Sequence, residues 1–382
     1  MKSRAKLSLE GARQSQQLLG IAARAGSLSA FRTFCTFHCF TFGESFNGRT
    51  GAFGALNPGS NPGSPASPVP NLRLEADLAV HVRVAVPYHV VYYAPFFVAQ
   101  HQGFFRQEGI TVEAQIAGPV TPLVAMASGD VDVGVGGIMR SLVAYDRGES
   151  AVPMHFARIN DRDGFFLLGP KQEFDWADLI DKRLIVFGEA PTPWYVLRSL
   201  LLQKGLDPDR IRAFEDVPLA AASAVYRAGG ADYLLTQAHV AEELLQQSEA
   251  FLVRAMAHEA GPLPYSSYYA SSGFLEREQA LVAGFVRAHV AALAWMRQST
   301  GAEIWDAIAP AFKDGNPDVL RRATQRYKEL GTWSSDATLS PSTYGRLTDA
   351  LSRGGLIERI APYELVIRDQ VAAELTAASG SA

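Results

Sequence analysis

Apolar runs and amphipathic stretches alternate along the chain from residue 80 onward. HVRVAVPY (81–88) has the apolar character of a buried strand ending in a turn. APFFVAQHQGFFRQEG (94–109) has the spacing of a helix that stops at a glycine. TVEAQIA (111–117) predicts a strand, TPLVAMASG (121–129) a helix, VDVGVGG (131–137) a strand and MRSLVAYDRG (139–148) a helix. VPMHFARIN (152–160) and FFLLGP (165–170) add two further strands. Strands alternating with helices of about ten residues predict an α/β lobe on a largely parallel sheet.

A second set follows. KRLIVFG (182–188) predicts a strand and TPWYVLRSLLLQKG (192–205) its helix, with Thr192 as N-cap and Pro193 as the first helical residue. IRAFEDVP (211–218), LAAASAVYRAGG (219–230), ADYLLTQ (231–237) and AHVAEELLQQ (238–247) repeat the alternation. After FLVRAMA (251–257) and YSSYYASSGF (265–274) the pattern becomes nearly all helical, with the longest helix over 276–299.

Composition narrows the class. The chain has 382 residues, 48% apolar and 19% charged, which fits two lobes with real cores. The net charge of -4 gives no basic surplus to neutralise phosphates, so no nucleic-acid partner is expected. No apolar run of about 18 residues stands out, so no membrane span is expected. Residues 1–78 differ in texture, with the Phe-rich FRTFCTFHCFTF (31–42) and the linker NPGSNPGSPASPVP (57–70). They read as a disordered or targeting extension outside the folded part. A basic start followed by LLGIAA (18–23) fits a weak export signal, and a misassigned start codon explains the same leader equally well. Cys35 and Cys39 both lie there, flanking His38, and two thiols with one imidazole make a poor closed zinc site. Neither a metal nor a cofactor is expected.

In open α/β sheets ligands sit beyond the carboxyl ends of the strands. That rule selects PYHVVYYAP (87–95), GGIM (136–139), Ile159 and Asn160, GEAPTPW (188–194), and Gln237 with His239.

YYAPFFVAQHQGFFRQEGITVEAQIAGPVTPLVAMASGDVDVGVGG, DLIDKRLIVFGEAPTPWYVLRSLLLQKGLDPDRI and LAAASAVYRAGGADYLLTQAHVAEELL together resemble solute-binding proteins of ABC importers. More narrowly they resemble the nitrate, sulfonate, taurine and thiamine-pyrimidine superfamily, over about residues 80–300. The resemblance implies an α/β, two-lobed periplasmic-binding-protein type II fold. Each lobe would be a mixed, mostly parallel sheet flanked by helices, with a helical C-terminal region. Lobe one would comprise 79–170 and 270–382, and lobe two 171–269. It also implies a periplasmic monomer that closes on a small-molecule ligand by hinge motion and hands it to a membrane permease. The other reading is an enzyme on the same fold acting on a small aromatic or pyrimidine metabolite, as some relatives do. The folded part has no Cys and no clustered ligand set to support that chemistry.

Where sulfonate and nitrate members resemble one another in a Ser/Thr-rich loop, this chain has GEAPTPW. Pro191 and Pro193 remove two N–H donors and Glu189 repels an anion, so the turn argues against an anionic ligand. Tyr88, Tyr92, Tyr93 and Trp194 supply flat apolar faces, and Glu189 can accept hydrogen bonds from a ring or amino N–H. An aromatic or heteroaromatic solute, pyrimidine-like or vitamin-precursor-like, fits that set. The candidate site is completed by Gly136, Gly137, Ile138, Asn160, Thr192, Gln237 and Tyr265.

Several of these residues have second readings. Glu189 also suits a helix dipole, Trp194 also suits a core, and the glycines also suit a plain turn. Only one of the adjacent Tyr92 and Tyr93 is expected to face the cleft. Arg140 facing the cleft would meet a carboxylate and revise the donor-edge argument.

Overall fold

The structure, a computed structural model, describes residues 80–116, 121–188 and 190–379. The predicted extension with Cys35, His38 and Cys39, and the candidate Glu189, lie outside the described residues.

The first sheet is built from β1 (Val80–Val86), β2 (Ile110–Ile116), β3 (Val133–Gly136) and β4 (Met154–Arg162). Helices α1 (Ala94–His101), α2 (Phe104–Gln107), α3 (Thr121–Ala127) and α4 (Met139–Asp146) connect them. The single helix expected over 94–109 is broken at Gly103, which takes the left-handed φ of +79°. β1 pairs in parallel with β2 and with β3.

The second sheet contains β5 (Phe165–Gly169), β6 (Arg183–Ile185), β7 (Arg212–Phe214), β8 (Tyr233–Gln237) and β9 (Phe251–Ala255). Its helices are α5 (Thr192–Gln203), α6 (Leu219–Arg227) and α7 (Ala238–Gln246), with the short α8 (Met256–Glu259) after β9. β6 pairs in parallel with β7 and β8. The chain then returns to the first sheet as β10 (Pro262–Ala270).

The two sheets share one plan. Their strand orders are β2-β1-β3-β10-β4 and β7-β6-β8-β5-β9. In each, the fourth strand is antiparallel to both neighbours, and it is the strand that has just arrived from the other sheet. The first crossing lies at Asp163–Gly164, between β4 and β5. Residues 165–169, grouped with the first lobe on sequence, therefore pair within the second sheet.

The C-terminal region is helical: α9 (Ser272–Arg277), α10 (Gln279–Gln298), α11 (Gly301–Ile308), α12 (Pro317–Glu329), α13 (Pro341–Gly354), α14 (Tyr363–Val366) and α15 (Gln370–Ser379). α10 has the length and hydropathy of a membrane span, contrary to the expectation of none, and half of that window is buried inside the fold. It packs on α1, where Phe285 contributes to the first lobe's aromatic core with Phe105, Phe156 and Tyr268. Two C-terminal helices also reach the second lobe. α12 packs on α7, where Arg326 meets the buried carboxylate of Glu242. α13 packs on α5, where Arg198 Nε donates to the Gly354 carbonyl at 2.8 Å.

Candidate functional site

The carboxyl ends of the two sheets meet around a cavity of about 30 Å³. Water needs roughly 10–15 Å³ of such space, so the cavity holds about two waters. From the first lobe it is lined by Tyr88, Tyr92, Tyr93, Gly137, Met139 and Arg140, with Tyr265 and Ser266 from β10. Phe165, Phe187, Ala190, Thr192, Pro193 and Gln237 line it from the second. The lobes come close at Gly137, where a Cβ would lie 3.9 Å from Thr192 Oγ1 and 3.2 Å from the Tyr265 carbonyl oxygen.

Seven of the candidate residues border this cavity: Tyr88, Tyr92, Tyr93, Gly137, Thr192, Gln237 and Tyr265. Tyr92 and Tyr93 both do so, against the expectation of one. A 3-10 turn over Val91–Tyr93, rather than a strand, splays consecutive side chains so that both reach the same space. Thr192 is not the N-cap. Pro191 takes that position, Thr192 is the first helical residue, and no side chain caps the helix.

The remaining candidates have other tasks. Trp194 is buried in the second lobe's core and is not among the residues that line the cavity. Ile138 is fully buried in the first lobe's core. Asn160 sits beneath the site, its Nδ2 donating to the Tyr92 carbonyl at 2.9 Å. Gly136 serves a neighbouring side chain rather than the cavity. A Cβ there would lie 3.4 Å from the Tyr269 ring and 3.5 Å from Arg140 Nε. Gly134 is tighter still, with a Cβ only 2.3 Å from the same ring. The alternate glycines of β3 thus make room for Tyr269, paired opposite Gly134 on β10. His89, in the selected turn 87–95, stacks on Phe312 with centroids 4.4 Å apart.

Phe165, Phe187 and Ser266 border the cavity from outside the selected turns, and Met139, Ala190 and Pro193 lie within those turns but outside the candidate set. Phe187 was within reach, since it ends the LIVF strand one residue before the turn that was selected. Phe165 was hidden by the misplaced crossing.

The two sides of the cavity differ chemically. Phe165 and Phe187 from the second lobe are in ring contact at 5.2 Å, and Tyr88 meets Phe187 edge-on at 5.3 Å, giving one continuous aromatic wall. The first lobe supplies polar groups. Burial pushes the Tyr93 hydroxyl up to about 12, while the charge of Arg140 and a hydrogen bond with Ser266 act in the opposite direction. Arg140 makes no ion pair among the described residues, and its Nε is buried without a hydrogen-bond partner. Gln237 Oε1 is likewise buried and unpartnered.

Beneath the cavity the crossing is tied together. Tyr265 OH donates to Asp163 Oδ2, and the Phe165 N–H donates to Asp163 Oδ1 at 2.8 Å. Burial raises the Asp163 carboxyl to about 7 against these two hydrogen bonds. Tyr92 OH donates to the Arg162 carbonyl and Tyr327 OH to the Gly164 carbonyl, both at 2.9 Å.

A Ser–His pair also occurs, away from the cavity. Ser141 Oγ donates to the Pro153 carbonyl at 2.8 Å, so it accepts from His155 Nε2 at 3.0 Å. His155 Nδ1 then accepts from Ser267 at 2.6 Å. All three side chains are buried, and burial lowers the imidazole to about 3, so this network is a neutral core device. Among the described residues no group of three or more His, Cys, Asp or Glu is placed to hold a metal.

Two mixed α/β sheets joined by crossing strands, with a cavity at their carboxyl ends, define the periplasmic-binding-protein fold. Residues 90–300 match the NMT1/THI5-like family, and the chain belongs to that family. YtlA of Bacillus subtilis (strain 168), provisionally named a binding protein, is 25% identical over 299 residues, covering 77% of this chain and 90% of that one. Among solved structures, the ligand-binding component of an ABC-type import system from Staphylococcus aureus superposes with a TM-score of 0.64. It is 13% identical and covers 77% of this chain and 98% of its own. The alkanesulfonate-binding protein of Xanthomonas axonopodis pv. citri, solved bound to MOPS, gives a TM-score of 0.60. Its identity is 18%, with 76% and 98% covered.

Proposed function

We propose that this chain is the substrate-binding protein of an ABC importer, a periplasmic monomer that captures a small aromatic or heteroaromatic solute between its lobes and delivers it to a membrane permease. The observation that carries the ligand class is the continuous wall of Tyr88, Phe187 and Phe165 on one side of the cavity. Flat faces of this kind bury a ring with little loss of side-chain freedom. Polar groups from both lobes, Tyr93 and Ser266 across from Phe165 and Phe187, and Thr192 and Gln237 beside them, fix its orientation. Space for about two waters is too small for a ring, so capture requires the lobes to part and close again about the two crossings.

The test is thermal unfolding of the chain against benzoate, benzamide, benzylamine, 4-aminopyrimidine and short alkanesulfonates, followed by mass spectrometry of each compound. A solute present at 100 times its dissociation constant stabilises by about 2.7 kcal/mol. Stabilisation by ring compounds recovered intact supports the reading. Stabilisation by alkanesulfonates alone overturns the ligand class, and a chemically altered compound moves the chain among enzymes.

A further inference from the structure

Arg140 contrasts with arginines of this fold whose charge is met by a carboxylate. Arg158, nearly buried, pairs with Asp161 at 2.5 Å and Asp336 at 3.0 Å. Arg326 and Arg322 share the buried Glu242. Arg140 borders the cavity, has no acidic partner among the described residues, and keeps a buried Nε unsatisfied. A guanidinium is always charged and presents five donors, so leaving it unpaired in an enclosed site is costly. Unsatisfied buried donors in a native fold call for a partner that binds there.

The groups around it are of one kind. Tyr93 and Ser266 bring hydroxyls from the first lobe, and Thr192 brings another from across the cleft. The Tyr269 ring lies beside Arg140 over Gly136, and its own buried hydroxyl has no partner. No Asp or Glu is among the described residues that line the cavity. Hydroxyls and a guanidinium together make a donor-rich seat for one small anionic group, facing the aromatic wall.

We propose that Arg140 selects the solute by seating its acidic group, so that the ligand is a ring compound bearing one carboxylate or sulfonate. This rests on the reading of the cavity as the solute site, and it replaces the donor-edge ligand that Glu189 suggested from sequence. A planar guanidinium meets a carboxylate or sulfonate through two parallel hydrogen bonds, while the ring lies on Phe165, Phe187 and Tyr88.

Calorimetric titration of the full chain with benzoate, benzenesulfonate, benzamide and benzylamine tests this, with Arg140→Gln and Arg140→Lys beside the wild type. Hydrogen bonds to a charged group are worth enough to predict acids binding about tenfold or more above benzamide. Arg140→Gln removes that preference and Arg140→Lys keeps part of it, with unfolding midpoints of both variants near wild type. Benzamide or benzylamine binding as tightly as benzoate overturns the proposal, as does an acid preference that survives in Arg140→Gln. Silence from all four rings sinks the aromatic-solute reading instead, and sodium sulfate then tests the seat alone. Sulfate that stabilises the wild type but not Arg140→Gln upholds the seat, and sulfate without effect overturns it.

Discussion

The two lobes repeat one framework down to a single ion pair, yet they end in different chemistry. Arg83 on β1 clips Asp132, with Nη2 to Oδ1 at 2.7 Å, Nε to Oδ2 at 3.1 Å and its own backbone N–H to Oδ2 at 2.9 Å. Arg183 on β6 makes the same three bonds to Asp232, at 2.8, 3.2 and 2.9 Å. The partners are 49 residues apart in both cases. Each clip ties the start of a sheet's first parallel strand to the turn before its third. At the other end of these strands the likeness stops. The first lobe brings tyrosines, Gly137 and Arg140 to the cavity, whereas the second brings Phe165 and Phe187 beside Thr192 and Gln237. The ion pairs are alike in the two sheets, and the difference lies at the carboxyl ends, where the proposed solute site is.

The largest effect should come from two glycines against which another segment packs closely, Gly188 in the turn after β6 and Gly134 within β3. A Cβ at Gly188 would sit 1.5 Å from the Glu215 carbonyl oxygen, which is backbone and cannot swing away. At Gly134 the obstacle is the Tyr269 side chain, 2.3 Å from the added Cβ. Gly188→Ala should cost more than about 3 kcal/mol and Gly134→Ala roughly 1–3, read from urea midpoints. Equal costs would mean that the Glu215 backbone and the Tyr269 side chain yield equally.

The crossing between the lobes predicts a pH effect next in size. The folded Asp163 carboxyl is raised to about 7 by burial, while an unfolded Asp titrates near 3.8. A raised folded value means that the protonated form is favoured by folding. Its contribution is therefore fully present below about pH 4 and is lost as pH rises through 7. At about 1.4 kcal/mol per unit the loss reaches a few kcal/mol. Asp163→Asn should flatten this part of the profile, and an unchanged slope would place the effect elsewhere.

The smallest effect tests the framework itself. Asp132 and Asp232 are both held below the usual carboxylate range. For Asp132, burial pushes upward and the bonds and charge of Arg83 outweigh it, whereas for Asp232 the Arg183 hydrogen bond leads. A lowered folded value gives stability above the unfolded value that is lost as pH falls through the folded one. The side chains are partly exposed, at 39% and 21% in one pair and 39% and 33% in the other. Asp132→Asn and Asp232→Asn should each cost only about 0.5–1 kcal/mol near pH 7, with similar values in the two lobes. A difference well above 1 kcal/mol between them would break the equivalence.

Local periodicity revealed the alternation of strands and helices, so the fold class was legible from the chain. The carboxyl-end rule then led to seven cavity residues. What stayed hidden depended on distant partners. Whether Trp194 faced the cleft or the core was decided by the segments of the second lobe that pack around it. The alternate glycines of β3 signalled a close neighbour, but only the pairing with β10 names it as Tyr269. The crossing was placed too late because FFLLGP continues the apolar pattern of β4, and Asp163–Gly164 was not taken as its break. The support behind Tyr92, from Trp333 Nε1 to its carbonyl at 3.1 Å, spans 241 residues and leaves no local trace.

The cavity has room for about two waters, and that sets the time course of capture as well as its selectivity. On the proposed reading a solute meets Arg140 and the aromatic wall only after the lobes separate, so arrival is gated by the protein's own opening. The observed association rate should climb with solute concentration and then level off at the opening rate, and the apparent affinity is scaled by the fraction of molecules open. Departure passes through the same gate. On that reading a captured solute stays until the lobes part again about the two crossings, and whatever opens them sets the pace of delivery.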